Sequence, residues 1–258
     1  MAIQYVGGQV AGRANPSAAL LVSFSLTGGL AATPATGDLV IVTAVTGSAA
    51  GNPAMAVTTP ADYTPLGQLN QSAVTADTSM DVSWKIMGAT PDADVTIPGT
   101  TNNAWAEAYA IQVFRGVDTG TPMDVAAVSA GGTGTGRPNP GSITPSTAGA
   151  WPVICGGGAA GTGANYVAPA NYTTNFITAS GADTTDAMVG CGYRSDWTSG
   201  PEDPAAYTGG TTGANDSWTA YTLALRPAPP VVHHPELYRR RQAVRKRQVS
   251  GQKQHYLN

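Results

Sequence analysis

The sequence predicts an all-β protein: an antiparallel β-sandwich, jelly-roll-like, with an extended C-terminal arm. Three observations carry this. Apolar side chains recur with a period of two in segment after segment. Gly, Pro, Thr and Asp punctuate at short intervals, and no helical period occurs before residue 230. At 258 residues the chain can bury a core as one large all-β domain or two small ones. Charged residues are only 11% of it, and Lys occurs only at Lys85, Lys246 and Lys253. Small residues in place of charge suit a fold rich in turns and poor in long surface helices.

Ile3 to Val6 reads as a first short strand that ends at Gly7-Gly8. Leu20, Val22, Phe24 and Leu26 then share one sheet face by alternation. The run DLVIVTAV at 38–45 is apolar on both faces, as in a strand covered on both sides. Signals over 51–76 are weaker, with a strand around Tyr63 to Leu69. Met80, Val82, Trp84 and Ile86 alternate with Asp81, Ser83 and Lys85, which predicts a half-exposed strand, and Val95 to Ile97 supplies a short partner.

AWAEAYAIQVFRGVD at 104–118 is rich in alanine but reads as a strand. Trp105, Glu107, Tyr109, Ile111 and Val113 lie on one face. Ala106, Ala108, Ala110, Gln112 and Phe114 form the other, a small-residue face suited to close sheet packing. SAGGTGTGRPNPG at 129–141 reads as an exposed loop. Ser142 to Pro145, Ala150 to Cys155, Tyr172 to Thr178, Asp186 to Arg194 and Trp218 to Arg226 complete the strands. No fixed-period repeat is evident, which disfavours propellers and solenoids.

The last strand stops at Pro-Ala-Pro-Pro, 227–230, because proline cannot donate to a ladder. This divides a body, 1–227, from an arm, 228–258. Residues 1–226 hold six basic against fifteen acidic side chains and sum to −9; residues 227–258 hold seven basic and one acidic and sum to +6. The arm therefore seeks an acidic surface or phosphate. Its segment PELYRRRQAVRKRQ reads as a short helix with Glu236 near its positive end. Leu237, Tyr238 and Val244 give it an apolar stripe, and Arg239, Arg240, Arg241, Arg245, Lys246 and Arg247 the charge. Such a stripe is too small to fold alone, so these residues are expected to anchor the arm on a partner.

No run of about 18 apolar residues occurs, so no membrane helix is predicted. No secretory signal opens the chain, which predicts cytosolic synthesis and makes the N-x-S/T sequons at Asn70, Asn171 and Asn215 coincidental. Cys155 and Cys191 are the only cysteines; buried free thiols are the first reading, a disulfide formed after release to an oxidising medium the second.

No constellation that runs a reaction stands out, and no cofactor is implied. GGGAAG at 156–161 satisfies G-x-G-x-x-G, but Pro169 and the lack of a helical period after it favour an inter-strand loop over a dinucleotide site. His233, His234 and His255 all lie in the arm, away from any nucleophile and without a third metal ligand. Candidate carboxylates are Asp81, Glu107, Asp183, Asp186, Asp196, Glu202 and Asp203, with no spacing that marks a catalytic pair; calcium in an Asp-rich loop stays open. Tyr166, Tyr172, Trp197 and Tyr207 lie in loop-like surroundings, either anchoring loops on the core or stacking on sugars.

Four segments together carry a resemblance: AIQYVGGQ at the start, TPATGDLVIV at 33–42, AIQVFRGVDTGTPMDV at 110–125 and DSWTAYTLALRP at 216–227. They resemble a group of uncharacterised tailed-bacteriophage virion proteins in which GDLVIV, FRGVD with a following PMDV, and a terminal TLALRP recur. The resemblance spans nearly the whole body and not the arm. It implies a virion structural protein of decoration, spike or fibre type, in contact with capsid, neck or tail proteins, and carries over no catalytic residues. From that setting a symmetric homo-oligomer, a trimer, is expected. Two other readings stay open: a glycan-binding host-attachment module using loops such as 196–207, and an arm that contacts packaged DNA. Docking on protein is favoured over DNA because the arm offers little aromatic stacking and the body is acidic.

Overall fold

The computed structural model describes residues 2–49, 59–100, 106–134, 136–160, 166–178, 186–209 and 216–230. The first half forms β1 (Gln4–Ala14), β2 (Leu20–Ser23), β3 (Leu39–Ala49), β4 (Thr64–Gln71), β5 (Ala76–Ile86), β6 (Asp94–Ile97) and β7 (Ala106–Arg115). The second forms β8 (Val128–Thr133), β9 (Trp151–Ala160), β10 (Tyr166–Val167), β11 (Thr173–Thr178), β12 (Asp186–Tyr193), β13 (Thr208–Gly209) and β14 (Ser217–Leu225). Among the described residues there is no helix. Ala2–Ala228 is one compact unit.

The first sheet has the antiparallel order β1-β7-β3-β5-β4, with β3 at its centre. Both faces of β3 are covered, which is why LVIVTAV carries no polar alternation. Leu39, Ile41 and Val45 join Met80, Val82, Ala106, Ala108, Ala110 and Phe114 in the core between the sheets. Val40, Val42 and Ala44 face outward with Tyr109, Ile111 and Val113, and the β2–β6 pair and the chain after β2 lay Val22, Phe24, Leu26, Val95 and Ile97 over them. The small-residue face predicted for β7 thus meets the second sheet. Each large aliphatic or aromatic side chain so buried stabilises by about 1.5–3 kcal/mol.

The second sheet has the order β11-β12-β9-β14-β8. Val153, Cys155, Val189, Cys191, Tyr221, Leu223 and Leu225 face the first sheet. Ile154 and Met188 lie on the outer face beneath Tyr166 and Tyr207, beside the β10–β13 pair.

The two sheets follow one plan. Among the long strands of each half, the first is an edge and the last lies beside it. The second is central, followed by the fourth and then the third: β1-β7-β3-β5-β4 in one sheet, β8-β14-β9-β12-β11 in the other. Packing obeys the same exchange. β1 lies on β11 as β8 lies on β4, β7 lies on β12 as β14 lies on β5, and β3 crosses β9. This is the pattern of an approximate twofold axis, as in an isologous dimer but within one chain. The axis passes where the fifth residues of β3 and β9 meet: Thr43 donates its hydroxyl to Cys155 Sγ at 3.2 Å. Gly37 and Gly149, each two residues before its central strand, both adopt a left-handed φ, 81° and 79°, that favours glycine.

The antiparallel sandwich expected from the sequence is what the chain forms. Its connections stay within one half, whereas a jelly roll winds its strands between the two sheets. β5 is partly exposed only at its end, Trp84 to Ile86; Asp81 and Ser83 are as buried as Met80 and Val82, because the outer face of the first sheet is covered there. Gly156–Ala160 is not a loop but continues β9. A Cβ at Gly156 would lie 2.8 Å from the Tyr207 ring; one at Gly157 would lie 2.5 Å from a Val45 methyl. The strand is glycine because its neighbours occupy that volume. Val128–Thr133, the start of the predicted 129–141 loop, pairs with β14 as an edge strand. Ser142 to Pro145 is not a strand; Ile143 makes a single bridge with Glu202.

Candidate functional site

The arm residues Leu237, Tyr238, Arg239, Arg240, Arg241, Val244, Arg245, Lys246 and Arg247 lie outside the described residues, as do His233, His234 and His255. Asp183 does too. What can be built from the residues upward is therefore the polar chemistry of the body.

In each half an arginine clamps a buried carboxylate, Arg115 as the last residue of β7 and Arg226 as the residue just after β14. Arg115 donates from Nε and Nη2 to the two oxygens of Asp38 at 2.8 and 2.9 Å, a bidentate pair. Asp38 lies just before β3, where its Oδ2 also accepts from the Ala35 N–H at 2.8 Å. In the second half Arg226 Nε donates to Asp124 Oδ1 at 3.2 Å. Asp124 Oδ2 accepts from the Thr147 N–H at 3.1 Å and from the Ser146 N–H and hydroxyl. Burial pushes the Asp124 carboxyl up, but these hydrogen bonds outweigh it and hold it below the usual carboxylate range. Ala35 and Thr147 are equivalent: each carbonyl accepts, at 3.0 Å, the N–H of the residue just before the central strand. The cradle is conserved between halves while the carboxylate comes from a different place in the chain. The sequence holds a signal for this in TPATGD and TPSTAGA, which precede the two central strands.

Asp81 and Glu107 are brought to one face, the outer face of the first sheet. Asp81 on β5 is opposite Ala44, and Glu107 on β7 is opposite Thr46. β3 stands between them and their partners lie on opposite sides. Thr59 donates to Asp81 Oδ1 at 2.9 Å, whereas Arg13 of β1 bridges Glu107 Oε2 at 2.6 Å. Burial pushes Asp81 up to about 6, against the hydrogen bond from Thr59. Burial also lifts Glu107 to about 7, outweighing the attraction of Arg13. Among the described residues Glu107 Oε1 and Thr46 Oγ1 are buried without a hydrogen-bond partner. These two acids exchange protons near neutrality.

Glu202 is held rather than free. Tyr172 donates to its Oε1 and Arg194 to its Oε2, both at 2.7 Å, and Arg194 Nε reaches Asp196 at 2.8 Å. This network fastens the 194–202 segment to the chain before β11. Asp203 is exposed, and Asp186 begins β12. Among the described residues no group of three or more His, Cys, Asp or Glu is placed to hold a metal ion. Of the four aromatics considered for sugar stacking, Tyr166, Trp197 and Tyr207 are buried and Tyr172 is half-buried. Tyr207 donates to the Gly190 carbonyl at 2.9 Å, so it anchors its loop on the sheet. The first five residues of G-x-G-x-x-G, Gly156–Ala160, lie in β9, which pairs with β12 and β14, and the Ala159 N–H donates to the Thr78 hydroxyl at 2.8 Å. No family model, curated protein or solved structure matches the chain.

Proposed function

We propose that the protein is a bacteriophage virion structural protein of decoration, spike or fibre type. Its basic C-terminal arm anchors it to capsid, neck or tail proteins. The observation that carries this reading is a coincidence of two boundaries. The compact unit ends at Ala228, and the charge changes sign there, from −9 over residues 1–226 to +6 over residues 227–258. A closed sandwich followed by a strongly basic segment suits a rigid module delivered by its tail end. Arg239, Arg240, Arg241, Arg245, Lys246 and Arg247 supply the charge, and Leu237, Tyr238 and Val244 the apolar contact. The four body segments that resemble virion proteins support the same setting, in which copies assemble symmetrically as a trimer.

The glycan-binding alternative is weaker because the aromatics near 196–207 point into the core and offer no stacking platform. The test compares the full chain with one lacking residues 228–258. The truncated chain is expected to remain folded and soluble and to be missing from purified particles; its normal incorporation would overturn the anchoring role. A 228–258 peptide that bound DNA with a steep salt dependence would move the arm's partner from protein to packaged DNA.

A further inference from the structure

We propose that Cys155 and Cys191 form a latent cross-strand disulfide, closed by a peroxide-type oxidant, that pins the centre of the second sheet. The two residues are register partners on neighbouring antiparallel strands, β9 and β12. Both are fully buried and both face the first sheet. Residues directly opposed in this way have Cα atoms about 4.5–5.5 Å apart, inside the span that a disulfide bridges. They are also the only cysteines in the chain, so neither has a rival partner within it.

The pair is asymmetric in a way that suits the chemistry. Thr43, reaching across from the other sheet, donates to Cys155 Sγ at 3.2 Å. Hydrogen bonds from the Cys191 thiol and from Thr43 hold the Cys155 thiol below its usual range, while burial and the adjoining sulfur push Cys191 up. Cys155 is the nucleophile and Cys191 the thiol that resolves it. With hydrogen peroxide, the Cys155 thiolate attacks one oxygen; the S–O bond forms as O–O breaks. The departing hydroxide takes up the proton that Cys155 released and leaves as water. The Cys191 sulfur then attacks the sulfenic sulfur; S–S forms, S–O breaks, and the second hydroxide leaves as water with the Cys191 proton. Two thiols are oxidised and one peroxide is reduced.

The bridge would close a loop containing β10 and β11, so it constrains the unfolded chain as well as the sheet. The experiment treats the folded, reduced full-length protein with hydrogen peroxide, then denatures and alkylates it. The expected result is loss of both alkylatable thiols within one chain and a linked peptide pair containing Cys155 and Cys191. The unfolding midpoint should rise by about 10 °C and fall back on reduction. Two thiols that remain alkylatable, cysteines oxygenated separately, or cross-links between chains would each overturn the proposal. A bridge that left the midpoint unmoved would overturn the pinning role. In C191S, Cys155 is expected to stop at a sulfenic acid that a dimedone-type reagent captures. If that variant does not fold, the comparison of oxidised and reduced wild-type protein still decides the question.

Discussion

The two halves of the sandwich share one strand order but fill it differently. In the first, the central strand carries the volume: Val40, Val42 and Ala44 outward, Leu39, Ile41 and Val45 inward. In the second, the matching stretch runs into Gly156, Gly157 and Gly158, and the volume comes from elsewhere. Tyr207 and Tyr166 cover the outer face, and Val45 of the first half fills the inner space at Gly157. Val45 and Gly157 hold equivalent positions, seventh in β3 and seventh in β9, and touch near the axis. Total packing is conserved between the halves, and the residues that supply it are not.

The largest effect should come from removing the cover of the glycine strand. Tyr207→Ala deletes a fully buried ring and its bond to Gly190, and is expected to destabilise by about 4 kcal/mol in chemical denaturation. Val42→Ala in the first half removes far less and should cost about 1–2 kcal/mol. Equal losses would contradict the division of volume described above.

Next in size is a pH effect confined to the first half, since Asp81 and Glu107 both lie there. Each folded-state value, about 6 and about 7, lies above its unfolded one, so the native state keeps a proton that the unfolded chain has lost. The stability this contributes is complete below about pH 4 and is lost as pH rises through about 6 and then about 7. Up to about 3 kcal/mol per group should disappear over that window. Denaturation midpoints at pH 4.5 and 7.5 measure the loss, and Asp81→Asn should flatten its lower part.

The arginine clamps test the likeness of the halves. Arg115→Ala and Arg226→Ala each strand a buried carboxylate, and each should cost about 2 kcal/mol, reduced from the fully buried figure because both arginines are about a third exposed. Unequal costs would show that the clamps are not equivalent. Smallest is Gly157→Ala, whose methyl meets Val45 and Met80 and should cost about 1.5 kcal/mol; pairing it with Val45→Ala should recover part of that loss.

DLVIV and AYAIQVF were legible because alternation, or its absence on a doubly covered strand, is a local signal. The alanine face of β7 was legible for the same reason. GGGAA was not, because glycine has no strand preference of its own. It is held in β9 by Tyr207, far along the chain, and by Val45 from the other half. Asp81 reads as solvent-facing by alternation, and the burial of Asp81 and Glu107 on the outer face of the first sheet is not legible, since only tertiary cover buries them. The shared plan was hidden because equivalent positions differ in kind: Thr43 and Cys155, Val45 and Gly157. The turns before β3 and β9 and the arginines Arg115 and Arg226 are alike in the two halves.

In both halves an arginine–carboxylate clamp ties the end of the last long strand to the fold, and the function proposed above assigns partner contact to the arm. The most direct measurement is therefore one of sufficiency: residues 228–258 appended to an unrelated soluble domain and supplied while particles assemble. Co-purification of that domain with particles, reduced when Arg239, Arg240 and Arg241 are replaced by Ala, is the result predicted. Particles that take up the full-length protein but never the fused domain would contradict the account.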